Sequence, residues 1–452
     1  MSQERVPPEI QTQIIDSIVS DHSGYIILQP DCAQTLRTCL RVSPTFRWSA
    51  KRYLFKFISL FEDDEDAFRV KLKHLRSLVD LPDMEISILR HIRIFQMSAP
   101  ITSILGNPEP SRCKQIIEDL DFILNAFRHS EARLHTFEFH GPLFSSLPSK
   151  VVRSLQNLIR SPTLLSLRLC EVQDLPKDVL QGTSIIHLTV LDCNISDTMG
   201  AMDVHLPLSQ IATIETTDLP MVHALYPETQ RSMISNGEAC LKSVCLRIDM
   251  RTCFFGGLNK ECDTVAELFP SVKSLYIVFD SNGIICYLHF NPLVLITHDS
   301  TDLVQLFLTP PMSYSTKLNN FNYLTLRYGP TDLSRTSLPT KAYVSHAITV
   351  LAAWPPSLQR LTLIFDNLFY CAEDISLGMP IEAWTKLDDI LLNVDIFPHL
   401  GGVDIKAFCL FPNNIMTNHS RKAEQLRMEQ EIKLALPTLH KQGKMTVAVS
   451  CR

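Results

Sequence analysis

Glycine is scarce in this chain: 14 of 452 residues, about 3% where globular proteins carry ~7%. Enzymes that cradle phosphates lean on glycine for close backbone approach, so the shortage argues against a nucleotide enzyme. Motif strings are missing to match. There is no Gly-x-Ser-x-Gly, Gly-x-Gly-x-x-Gly, Gly-Lys-Ser/Thr or His-Glu-x-x-His, and no catalytic residues are nominated. Thirteen cysteines are present without one Cys-x-x-Cys pair, and Cys240, Cys245, Cys253 and Cys262 are unequally spaced. That excludes the paired spacing of a structural zinc site and leaves buried thiols in a reducing compartment. No apolar leader follows Met1, and the greasiest stretch, 283–296, is broken by His289, Asn291 and Pro292. It falls short of the ~20 residues a membrane helix needs. Positive charge is not in excess either: 42 Lys+Arg against 48 Asp+Glu give a net charge of −6, no footprint for nucleic acid. These absences predict a protein of the cytoplasm and/or nucleus with no cofactor, no metal, no membrane and no nucleic-acid partner.

What is present is a repeat. The pattern apolar-x-x-apolar-x-apolar begins at Leu89, Leu134, Leu164, Ile185, Ile211, Leu241, Val272, Phe321, Leu358 and Leu387, spaced by about 33 residues on average. In a short strand the fourth and sixth positions share one side. Such a strand cannot bury its face alone, so copies stack as a parallel sheet with helices outside, as in leucine-rich repeats. The segment IIHLTVLDCNIS from Ile185 is closest to that signature, with Cys193 where the family has Asn or Cys. Variable spacing makes the array irregular, with insertions expected near 96–133 and 283–320. Helical periodicity is clear over Lys114–Ser130 and Pro148–Ser161. A helical cap is expected over Arg421–Leu436 and a last strand at Met445–Val449.

The first sixty residues have another texture. Ile10, Ile14 and Ile18 recur at helical spacing after Pro7-Pro8. A second apolar run holds Leu36, Cys39, Leu40 and Val42 up to Pro44, and a third is expected from Phe46 to Phe57. Val6-Pro7-Pro8-Glu9-Ile10 resembles the Leu-Pro-x-Glu-Ile/Leu opening of the F-box family. Leu36, Cys39, Leu40, Val42, Ser43 and Phe46 are similar to its Leu-x-x-Cys/Ser-Leu-Val-Cys/Ser-x-x-Trp/Phe stretch, with Arg41 interposed. Tyr53-Leu54-Phe55 is similar to the aromatic-Leu-Phe close of many fungal members. The resemblance covers about residues 5–58. It implies docking on a Skp1-like adaptor of a cullin ubiquitin ligase through Pro7, Pro8, Glu9, Ile10, Ile14, Leu40, Val42 and Phe46. The repeats would then hold an unknown protein substrate.

The expected organisation is therefore α/β: an F-box-like helical module over 5–58, an acidic linker or hinge over 59–85, and an irregular leucine-rich-repeat solenoid over 86–450. The run Glu62-Asp63-Asp64-Glu65-Asp66 lacks the alternating oxygens and turn glycine of a calcium loop, hence the hinge. Odd repeat positions point away from the core and name a substrate face. It takes in His91, Arg93, Glu138, His140, Arg168, His187, Glu215, Arg247, Tyr276, Tyr323, Arg327, Arg360, Ile364 and Asp389. Arginine outnumbers acid there, which suggests an acidic or phosphorylated segment as ligand. The alternative is a repeat scaffold with no ubiquitin role, its first helices serving as a cap.

Overall fold

A computed structural model describes residues 6–20, 30–62, 64–80, 88–98, 110–128, 132–141, 144–196, 211–225, 241–249, 257–268, 272–280, 321–329, 340–352, 354–366, 381–409 and 418–451. The chain divides into two compact units, Met1–Ile211 with Met221–Pro227, and Ala212–Pro220 with Glu228–Arg452. Each is α/β with parallel strands in chain order, compatible with a repeat solenoid. The stretch 283–320, expected to be an insertion, lies outside the described residues.

The first unit opens with helices α1 (Pro8–Ser20), α2 (Pro30–Cys39) and α3 (Pro44–Leu54). Each begins at proline, whose fixed φ suits a first helical turn and whose missing N–H is not needed there. Ser43 caps α3 by accepting the Phe46 amide at 3.2 Å. Ile15, Cys32, Leu36, Cys39 and Ala50 form a core joining all three, with Leu40, Phe46, Tyr53 and Leu54 packed on it. Asp16 accepts from both Arg52 Nη2 and the Tyr53 hydroxyl at 2.8 Å, clipping α1 to α3. Phe57, placed by periodicity in the third helix, instead opens strand β1 (Phe57–Leu60).

Strand β1 pairs in parallel with β2 (Ile94–Ser98), then come β3 (Thr136–His140), β4 (Ser166–Cys170) and β5 (His187–Leu191). The connecting helices are α4 (Glu65–Val79), α5 (Pro110–Ala126) and α6 (Ser149–Ile159), packed side by side. Their apolar stripes, such as Ile116, Leu120, Ile123 and Leu124, are buried with Phe95, Phe137, Phe139, Leu167 and Leu169 of the strands. The Phe95 ring lies 4.9 Å from Phe127 and 5.9 Å from Phe137; burying each such side chain stabilises by about 1.5–3 kcal/mol. The described end of the acidic run, Asp64 to Asp66, opens a helix. Asp64 accepts the Ala67 amide at 2.8 Å and Glu65 and Asp66 sit in the first turn, where carboxylates complement the helix dipole.

The residue after each of β3, β4 and β5 is left-handed: Gly141 (φ 89°), Glu171 (59°) and Asp192 (51°). That turn lets Gly141 N–H reach the Cys170 carbonyl at 3.0 Å and Glu171 N–H reach Leu191 at 2.8 Å. So the architecture does demand positive φ, and two of three such positions are filled by acidic residues at some conformational cost. Cys193 sits beneath this turn. Its Sγ accepts the Val172 amide at 3.4 Å and reaches the Leu191 carbonyl at 3.2 Å.

The second unit runs β6 (Thr213–Thr216), β7 (Ser243–Asp249), β8 (Ser274–Asp280), β9 (Tyr323–Gly329), β10 (Arg360–Phe365), β11 (Gly402–Cys409) and β12 (Met445–Cys451). Its helices include α7 (Gly257–Leu268), α8 (Thr340–Ala352), α9 (Ile381–Leu392), α10 (Asn418–Ala435) and α11 (Pro437–Lys441). Buried rings form a ladder across the strands: Phe279 to Tyr328 at 4.9 Å, Tyr328 to Phe365 at 5.7 Å, Phe365 to Trp384 of α9 at 5.8 Å. Buried Asp388 accepts the Thr438 and Leu439 amides at 3.0 and 3.1 Å, satisfying the first turn of α11.

Eight of the ten repeat hexamers start two residues before a strand, with their fourth and sixth residues buried. Two do not. The frame at Leu89 slips by three to Ile92, because Phe95 and Met97 bury inward, and Ile94 registers with Thr136. The hexamer at Leu387 lies in α9, where Trp384, Leu387 and Leu391 are buried at helical spacing.

Candidate functional site

Two surfaces carry the residues singled out from the sequence. The first is the outside of the three N-terminal helices. Pro7, Pro8, Glu9, Ile10, Ile14 and Val42 are exposed, with Ile10 at 44%, Ile14 at 41% and Val42 at 62%. The other two predicted contacts are placed differently: Leu40 and Phe46 pack partly into the module's own core. Gln11 gathers the exposed set by donating to the Val6 carbonyl and accepting from Ser43 Oγ, both at 2.6 Å. That bond ties Ser43, the residue after Val42, to α1. Isolated exposed apolar side chains are ordinary, but Val6, Ile10, Ile14, Val42 and Trp48 on one small module are not.

The second surface is the sheet face turned away from the aromatic core, in each unit separately. In the first unit Ser59, Gln96, Glu138, Arg168 and Thr189 stand in one register across the five strands. Ser59 Oγ donates to Gln96 at 3.0 Å, Gln96 Nε2 to Glu138 Oε1 at 3.3 Å, and Arg168 Nη1 lies 3.5 Å from Glu138 Oε2. His140, two residues along the same strand, is 2.5 Å from Glu138 Oε1. His140 also bonds Cys170, its register partner. These contacts, Cys170 first and Glu138 second, lift the His140 pKa to about 9 despite burial. Burial works to raise the Glu138 pKa, yet His140 and Arg168 together hold it below its ordinary value.

In the second unit the arginines are also engaged. Arg247 Nε lies 2.6 Å from Glu215, Arg327 pairs with Asp366, and Arg360 Nη2 lies 3.1 Å from Asp404. Burial opposes the Arg327 charge, and Asp366 more than offsets it, so its pKa rises. The Tyr276 pKa is raised by burial, with neighbouring Arg327 acting the other way. His187 and Tyr323 are exposed on their strands. Tyr323 and Arg360 also line an open groove of about 610 Å³ with His399, Asp404 and Lys444.

Three nominated positions leave the face. Arg93 precedes β2, and its guanidinium donates to the Arg90 carbonyl at 2.8 Å. His91 is buried against Trp48, ring centroids 6.2 Å apart, and burial drives its pKa to about 4. Asp389 is on α9. With Arg93 and Asp389 removed and Asp366 and Asp404 added, four arginines meet four carboxylates, each in an ion pair. A count of arginines alone therefore overstates the charge these four present to a ligand.

Sequence inspection missed the Glu138–His140–Cys170 cluster, because Cys170 is a full repeat away from His140. The signal was available: each directly follows one of two successive hexamers, and parallel stacking makes such positions neighbours. Among the described residues these are the one group of three metal-ligating side chains whose ligand atoms all lie within 4.8 Å of one another. No described helix is long and apolar enough to cross a membrane. No protein-family model matches the chain, and no curated protein matches it.

Proposed function

We propose that this chain is a non-catalytic substrate-recognition adaptor of a Skp1–cullin–F-box ubiquitin ligase. Its N-terminal helices dock on a Skp1-like adaptor, and a leucine-rich-repeat array presents a protein substrate. The observation that carries this reading is the exposed apolar set Val6, Ile10, Ile14 and Val42, at positions that match or adjoin the F-box pattern. A helical module serving only as a cap has no need to leave those side chains in water, whereas a docking surface gains about 25 cal/mol for each Å² it covers. Glu9 and Pro7 lie at the same end of α1 and would border the contact.

The test is co-purification of the full chain with a Skp1-like adaptor. Ile10→Asp, Ile14→Asp and Val42→Asp together should abolish it while leaving the circular dichroism spectrum unchanged, since none of the three belongs to the module's core. Leu40→Asp is a poor probe, because it would disrupt that core. Absence of adaptor binding by the wild-type chain would return the molecule to a repeat scaffold without a ubiquitin role.

A further inference from the structure

We propose that Glu138, His140 and Cys170 form a three-ligand site for a zinc-class divalent ion on the open sheet face of the first unit. The site is independent of the adaptor reading. Three unlike donors converge: a carboxylate oxygen, an imidazole nitrogen and a sulfur, all within 4.8 Å of one another. A tetrahedral zinc with bonds of about 2.0–2.3 Å separates its ligand atoms by roughly 3.3–3.7 Å. Ordinary side-chain rotation therefore brings these three to coordinating distance. The ion would displace the proton that His140 and Glu138 now hold between them at 2.5 Å and the thiol proton of Cys170, both released to solvent.

The scaffold is suited to hold them. Glu138 and His140 alternate along β3, and Cys170 is the direct register partner of His140 on β4, so all three backbones are fixed by ladder hydrogen bonds. The carboxylate is oriented from both sides: Gln96 Nε2 donates to Oε1 and Arg168 stands at Oε2. Such outer partners fix the direction of a ligating carboxylate. Arg168 stands at Oε2, so the ion would take the side of Oε1 that now meets His140, beside the Gln96 bond. Cys170 is buried, and the side chains of Glu138 and His140 are 12% and 23% exposed, which leaves an approach from the open face. Thiolate with imidazole selects zinc-like ions over calcium or magnesium, which require six or more oxygen ligands. Three protein ligands leave the fourth position for water or for a donor from a bound protein.

The experiment uses the full chain, stripped with chelator and titrated with zinc and with cobalt(II). One equivalent is expected to bind, and the cobalt form should show a thiolate charge-transfer band in the near ultraviolet. Cys170→Ser and His140→Gln should each remove the band and weaken binding at least ~10-fold, with metal-free circular dichroism spectra that match the wild type. Zinc-edge X-ray absorption on wild-type protein, which needs no variant, should show one sulfur among nitrogen and oxygen neighbours. Binding unaffected by either substitution, a shell without sulfur or rich in sulfur, or no binding at all would each overturn the site.

Discussion

His346 gives the sharpest stability prediction. It lies inside the second unit's core, with its ring 4.7 Å from Phe279 and 5.7 Å from Tyr328. Its Nδ1 is 3.3 Å from the Tyr328 hydroxyl. Burial disfavours the imidazolium and lowers the pKa from 6.5 to about 4. The unfolded chain binds a proton near pH 6.5 and the folded chain does not, so stability falls as pH falls through that window and is fully present above it. At about 1.4 kcal/mol per pH unit, the interval from 6.5 to about 4 is worth about 3 kcal/mol. Urea unfolding should be followed by the fluorescence of Trp354 and Trp384, both buried in this unit, at pH 7 and pH 4. Carboxylates titrate over the same range, so the comparison is with His346→Phe. That substitution keeps a ring in place and lowers stability at both pH values, because the hydrogen bond between the Tyr328 hydroxyl and the imidazole is lost. The wild type should lose about 3 kcal/mol more than the variant between the two pH values. Equal losses would mean that His346 is protonated in the fold, and the reasoning would fail.

Other outcomes follow from named contacts. Cys193→Ala removes the acceptor of the Val172 amide and should cost about 1–2 kcal/mol in urea unfolding; a variant as stable as the wild type would refute the thiol's part in the turn. Gly329→Ala places a methyl 2.5 Å from Asp366 Cβ, whereas Gly443→Ala meets nothing within 4 Å and faces only the strain of φ +65°. Thermal midpoints should therefore fall more for the first than for the second, which should lose about 1–2 kcal/mol, and the reverse order would contradict the packing at Gly329. Arg168, Arg247 and Arg327 neutralised together should lower the melting temperature, since each substitution breaks an ion pair on the sheet face; an unchanged midpoint would show those pairs to be energetically idle.

Much of the sheet was legible because burial on a parallel ladder imposes a short, rigid pattern. The hexamers at Leu134, Leu164, Ile185, Ile211, Leu241, Val272, Phe321 and Leu358 all lead into strands. The same pattern also runs through Phe55–Leu60 and Leu400–Ile405, where β1 and β11 form. Those two were overlooked, the first because it continues an apolar helix and the second because paired glycines resemble a turn. The pattern is blind to frame when apolar residues are dense: Leu89–Ile94 and Ile92–Met97 both satisfy it, and only the packing of Phe95 on Phe137 and Phe127 decides. It is blind to type at Leu387, where a helical stripe meets the same spacing by coincidence. The functional surfaces were less accessible. Ion pairs such as Arg327–Asp366 and Arg360–Asp404 link neighbouring strands far apart in the chain, so an arginine count from single repeats overstated the free charge.

Docking through the exposed apolar side of the three N-terminal helices is the proposal on which the function rests. Titration of the purified full chain with a purified Skp1-like adaptor, read by calorimetry, tests it most directly. Saturable one-to-one binding is predicted, with a negative heat-capacity change from apolar burial. Ile10→Asp with Val42→Asp should weaken it by ~10-fold or more and leave the melting curve in place. No heat of binding from a folded wild-type chain, or an affinity indifferent to both substitutions, would contradict it.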